Sequence, residues 1–127
     1  METIKTKPLI PVYITKGDVE AFLLYPHLYN RSGDWIGWVT PAREVYSVLG
    51  YYVGYLSNDP RILRKRATST LKPRLTPPAH PPRIRVPATV PLAPMMSELT
   101  YSVIDVLQEE PERLHTVETG EFRDDLD

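Results

Sequence analysis

In the first half of the chain the apolar residues come in short runs at a fixed step, each opened by a small residue and preceded by a polar stretch that carries a glycine. Tyr13-Ile-Thr-Lys-Gly17-Asp-Val-Glu-Ala21-Phe-Leu, Tyr29-Asn-Arg-Ser-Gly33-Asp-Trp-Ile-Gly37-Trp-Val and Tyr46-Ser-Val-Leu-Gly50-Tyr-Tyr-Val-Gly54-Tyr-Leu share one spacing. Glycine follows tyrosine by four positions, and the small residue follows by four more. The tyrosines lie 16 and then 17 residues apart, and a unit copied with its internal geometry intact sets the architecture before any other feature. Each unit predicts a β-hairpin in which Gly17, Gly33 or Gly50 takes the left-handed conformation at the end of the turn, with a bulge beside it. Between units stand the short proline-bearing turns Leu24–His27, Thr40–Arg43 and Ser57–Pro60, which keep neighbouring hairpins adjacent.

The same step carried forward from Tyr46 lands on Leu63, Ala67 and Leu71, so residues 62–71 predict a fourth, degenerate copy. Four hairpins give about eight short strands. Two-stranded ribbons are marginal alone, so the expectation is all-β: one shared core in a pseudo-fourfold, closed or nearly closed arrangement that leaves few exposed edges. Ala21, Gly37 and Gly54 are expected at the crowded centre, where backbones approach. Trp35, Trp38, Tyr51, Tyr52 and Tyr55 are expected to supply most of the burial. These three Tyr-x-x-x-Gly-x-x-x-(Gly/Ala) units resemble the four-fold β-flower family of small bacterial hairpin-repeat domains over about residues 10–72. The resemblance implies a fold and assigns no catalytic residue.

Composition changes the picture beyond residue 60. Of 14 prolines, ten lie from Pro60 onward. Because proline lacks an amide donor and has a fixed φ, residues 73–94 read as an extended, polyproline-like linker. The predicted division is a hairpin domain over 1–72, a basic proline-rich linker over 73–94 and an acidic tail over 95–127. In the tail, Met96, Leu99, Val103 and Leu107 fall at helical spacing with Ser97 as a cap, predicting a short amphipathic helix over about 96–109. The alternation of Leu99, Tyr101 and Val103 with the β-branched Ile104 and Val106 keeps a strand as the rival. Residues 112–127 read as solvated and disordered, with Leu114, Val117 and Phe122 as anchors.

The net charge of −1 hides a strong asymmetry. Residues 61–85 hold eight basic residues and no acid, whereas residues 98–127 hold ten acids against Arg113 and Arg123. Such segments can neutralise one another within a chain or between chains. There is no cysteine, so disulfide, thiolate and Cys-zinc chemistry are absent. Val12–Leu28 is broken by Lys16, Asp18 and Glu20, which gives neither a signal peptide nor a membrane span, and a cytoplasmic location follows as the default.

Chemistry is sparse. His27, His80 and His115 stand at no ligand spacing, the acid pairs Glu109-Glu110 and Asp124-Asp125 lie only in the tail, and neither a phosphate loop nor a nucleophile elbow occurs. The reading is a non-enzymatic structural or interaction module, without cofactor or metal. Its tail segment, with Met96, Leu99, Val103 and Leu107, docks on its own subunit, on a neighbouring copy or on a protein partner. The alternative is single-stranded nucleic-acid binding by the basic strip Arg61, Arg64, Lys65, Arg66, Lys72 and Arg74 beside the aromatics. A third reading places a ligand in an axial pocket near Tyr13, Tyr29 and Tyr46.

Overall fold

The computed structural model describes residues 7–67 and 72–117. Among the described residues eight strands form one antiparallel sheet in chain order: β1 Ile10–Tyr13, β2 Val19–Leu24, β3 His27–Asn30, β4 Trp35–Val39, β5 Glu44–Ser47, β6 Tyr52–Leu56, β7 Ile62–Lys65 and β8 Val103–Asp105. The sheet curls into a half-barrel, and the helical elements given in full among the described residues are α1, Val106–Glu109, and a 3-10 turn at Pro111–Arg113.

Three hairpins repeat to the residue. Val12 faces Ala21, Leu28 faces Gly37 and Val45 faces Gly54, while the tyrosine that follows each faces Val19, Trp35 or Tyr52. One residue is therefore left over on each return strand, Glu20, Ile36 or Val53, which is a β-bulge that bends the sheet at the same height three times. Each turn closes by the same pair of bonds, Asn30 N–H to Asp34 O (2.8 Å) and Gly33 N–H to Asn30 O (3.0 Å) in the second hairpin. Gly17, Gly33 and Gly50 have φ of 103°, 86° and 90°, where a Cβ is strained.

The interior is aliphatic, not aromatic as the sequence suggests. Val12, Leu28, Val45 and Ile62, one step before the repeat tyrosines and Leu63, are fully enclosed, and each contributes about 1.5–3 kcal/mol by leaving water. Tyr29, Trp35 and Val48 form a second cluster under Ile84 and Val117, on the other side of the sheet. Tyr51 is 55% exposed, and Trp38, Tyr52 and Tyr55 are half-buried. Successive strand residues point to opposite faces, so the run that opens each hairpin had two ways round, and the narrow concave side took the smaller, branched residues. Gly37 and Gly54 do stand where backbones crowd: a Cβ would lie 2.5 Å from Tyr46 O and 2.2 Å from Leu63 O.

The fourth unit departs from the local hairpin. β7 supplies its first strand, but the return strand is β8, pairing Leu63 with Asp105 and Arg64 with Ile104 after a long excursion; residues 68–71 of the expected copy lie outside the described residues. The helix expected over 96–109 is corrected accordingly. Only Val106–Glu109 is α-helical, capped by Asp105, whose carboxylate accepts from Gln108 N–H. The β-branched Val103 and Ile104 instead satisfy the open edge of β7. Val106 and Leu114 belong to the same core as the hairpins, so the packed unit does not stop at residue 72, and Leu114 is a core residue within the stretch expected to be solvated. Phe122 lies outside the described residues.

Candidate functional site

The basic residues are the first candidates, and the fold spends most of them on itself. Arg61 is 1% exposed. Its guanidinium pairs with Asp59 (2.6 Å) and donates to Thr15 Oγ1 (3.1 Å) and Ser97 O (2.9 Å). Arg64 donates to Tyr52 O and Val53 O, and burial lowers its pKa. Arg66 donates to Tyr101 O, lies over the Tyr101 ring and approaches Glu109 at 3.9 Å. Lys72 pairs with Glu44 (2.6 Å), which raises its pKa, and Arg74 donates to Leu49 O while stacking on Tyr51. Lys65 is on the exposed end of β7. The strip thus splits into one core residue and several surface clamps.

Two of those clamps, Lys72 and Arg74, belong to a device that composition alone concealed. Residues 72–94 do not stand away from the domain; they run along the glycine turns in reverse order. Leu75 N–H donates to Gly50 O (3.0 Å) and Ile84 N–H to Gly33 O (3.0 Å). Beside them, Arg74 donates to Leu49 O and Arg83 to Ser32 O (2.8 Å), in each case the residue before the turn glycine. Further on, Tyr13 Oη donates to Pro91 O (2.8 Å), and Ala93 lies against Gly17. The anchors Leu75, Ile84 and Ala93 are nine residues apart, within Pro73-Arg74-Leu75, Pro82-Arg83-Ile84 and Pro91-Leu92-Ala93. This nine-residue repeat is the signal in the sequence that could have shown docking. The prolines prevent the segment from joining the ladder, leaving single amides to bond at each turn.

A polar seam joins the first hairpin to the fourth unit. Asp105, 1% exposed, accepts from Thr15 N–H and Thr15 Oγ1, both at 2.7 Å. Tyr13 N–H reaches Pro60 O (3.0 Å), and Lys16 N–H reaches the Gln108 side chain (3.1 Å). Asp59 accepts from Arg61 and from Ser57 Oγ, and the bond from Arg61 is the leading cause of its lowered pKa. With Arg61 bridging Asp59 to Thr15, both carboxylates are held by structural donors.

The two ends of the half-barrel differ. At the glycine-turn end, residues 106–117 cover the opening. Gln108 meets the first turn, Glu112–His115 lie beside Ser47 and Tyr51 of the third, and Thr116 and Val117 reach Asp34 and Trp35 of the second. At the opposite end, the turns between hairpins enclose a bowl of about 630 Å3. Its floor is Leu23, Val39 and Leu56, each two residues beyond Ala21, Gly37 or Gly54. Ile10 and Tyr25, 36% and 43% exposed, stand on its wall, and Arg43 and Asn58 are at its rim. Arg43 has φ of 65°, and its guanidinium is held by Leu56 O (3.0 Å) and Ser57 O (2.9 Å).

The expected pocket near the repeat tyrosines is corrected by this geometry. Tyr29 lies in the outer cluster, Tyr46 stacks on Trp38 and Tyr13 bonds the proline-rich segment. Pleating turns each tyrosine outward because the residue before it points in. Of the tail positions, Val103 is on β8, Leu107 packs against the core, and Met96 and Leu99 are half-buried. Among the described residues no three His, Asp or Glu side chains converge as a metal site, and no helix is long and apolar enough to cross a membrane. Comparison with protein-family models, with curated proteins and with solved structures finds no match for this chain.

Proposed function

We propose that this chain is a non-enzymatic binding module of the four-fold β-flower kind, strapped shut by its own C-terminal half and recognising a partner at the end left open. The observation that carries the reading is the asymmetry of the two ends: residues 106–117 cover one, while the other keeps an apolar bowl with Ile10 and Tyr25 exposed. Exposed apolar concavities of this size on a small domain mark binding sites. The fourfold arrangement is supported by the bulge and turn that recur three times and by the β7–β8 pair in the fourth place. Docking of the tail on its own subunit is supported by the pairing of Val103–Asp105 with β7 and by Leu107 packing against the hairpin core.

A fragment screen followed by methyl NMR on the full chain tests the reading. Hits gather at Leu23, Val39 and Leu56 under the proposal; hits that gather elsewhere, or none, refute it. A second reading retains single-stranded nucleic acid, because Tyr51 and Tyr101, at 55% and 86% exposure, each lie under an arginine and offer stacking faces. Fluorescence anisotropy with a labelled oligothymidylate at low salt tests it, and no binding to the full chain eliminates it.

A further inference from the structure

We infer that the open bowl is a binding site for a small amphiphilic carboxylate, its apolar body on Leu23, Val39 and Leu56 and its anionic head on Arg43. The inference rests on the reading of the open end as the recognition surface and names what that surface selects. The bowl's volume of about 630 Å3 lies in the range of small-molecule sites, which pair an apolar lining with a few fixed polar groups.

The charge of the site selects the head group. Among the described residues Arg43 is the sole charged one lining the bowl, and no ion pair among them involves it. Its Nε and Nη2 are pinned to Leu56 O and Ser57 O, which fixes the guanidinium plane at the rim and leaves Nη1 to donate. A guanidinium held by neutral carbonyls keeps its full charge and loses little side-chain freedom when it meets a carboxylate. Lys7 stands on the same side, its ammonium donating to Tyr25 O (3.1 Å). The acids nearest in sequence are already occupied: Glu44 with Lys72 and Asp59 with Arg61. An anion therefore meets uncompensated positive charge here, and a cation does not. Asn58, also at the rim, adds an amide donor.

Octanoate, octanol and octylamine titrated into the full chain, with methyl and amide NMR as the readout, test the inference. Octanoate is expected to shift the Leu23, Val39 and Leu56 methyls and to bind at least about ten-fold tighter than either isostere, as a bond to a charged partner implies. Arg43→Asn, a residue that accepts positive φ, is expected to erase that preference while the methyl shifts by octanol persist. Equal affinity for octanoate and octanol overturns the carboxylate assignment and leaves the open end as the recognition surface. Silence of the three methyls toward all three probes overturns both readings. Should Arg43→Asn fail to fold, the comparison of the three probes on the unaltered chain still decides.

Discussion

Alanine at Gly33 tests whether the proline-rich segment is part of the folded unit, because an internal control exists in the same chain. Gly17, Gly33 and Gly50 share one turn geometry and left-handed φ, so Ala at any of them costs about 1–2 kcal/mol of backbone strain. The space around them differs. A Cβ on Gly17 meets only the Ala93 methyl at 4.0 Å, an ordinary contact, whereas on Gly33 it lies 2.0 Å from Ile84 O and on Gly50 2.0 Å from Leu75 O. Backbone cannot be overlapped at that distance, so the segment must leave. Departure from Gly33 forfeits the Ile84 N–H bond to Gly33 O and the exposed Arg83 guanidinium's bonds to Ser32 O, about 1 kcal/mol for the neutral amide bond and a similar amount for the solvent-screened guanidinium, together with the Ile84 contact on the Trp35 cluster. Gly33→Ala should therefore cost about 3–5 kcal/mol against about 1–2 for Gly17→Ala. Urea denaturation measures the totals, and hydrogen exchange at the Ile84 amide reports the segment directly. Equal destabilisation of the two variants, with the Ile84 amide still protected, would refute the docked geometry.

Three further outcomes follow from the seam and the core. Arg61→Met should destabilise by about 3 kcal/mol, since it removes a buried cation and with it the bonds to the part-buried Asp59, to Thr15 and to Ser97 O, and a loss under about 1 kcal/mol in urea would show that the network is not structural. Asp59 has a lowered folded pKa, so its contribution is complete above the unfolded carboxylate value near pH ~4 and is lost as pH falls through the folded value. Asp59→Asn should accordingly flatten stability against pH below about 4, and an unchanged acid profile contradicts the assignment. Leu114→Ala removes a core side chain from the cover over the glycine-turn end and should cost about 2–4 kcal/mol by thermal or urea unfolding; a neutral result would place residues 106–117 outside the cooperative unit.

The repeat made the first three hairpins legible because their information is local. A glycine that must take positive φ, a tyrosine four residues before it and a small residue four residues after it specify a turn, a bulge and a close approach without reference to distant chain. The fourth unit was legible by half. Its first strand follows the step of the repeat, but the return strand Val103–Asp105 is recruited from beyond the prolines, and the need of an open strand edge for a partner does not show in the residues that fill it. Composition made residues 73–94 extended but was silent on where they lie, because polyproline geometry is the same in solvent and against a sheet.

The basic strip shows the same limit most sharply. Charge along the chain grouped Arg61 with Arg64, Arg66 and Arg74, yet tertiary packing sent Arg61 to the seam and the others to carbonyls and tyrosine faces. The bowl, with Arg43 at its rim, draws on residues from Ile10 to Pro60, a convergence that no local spacing encodes. Sequence alone determined the strands and turns of the first three hairpins and their period, since these depend on φ, ψ and neighbours within a few residues. Only the tertiary structure decided which face became the core, which strand closed the fourth unit and which end stayed open, since each depends on burying surface contributed by residues far apart in the chain.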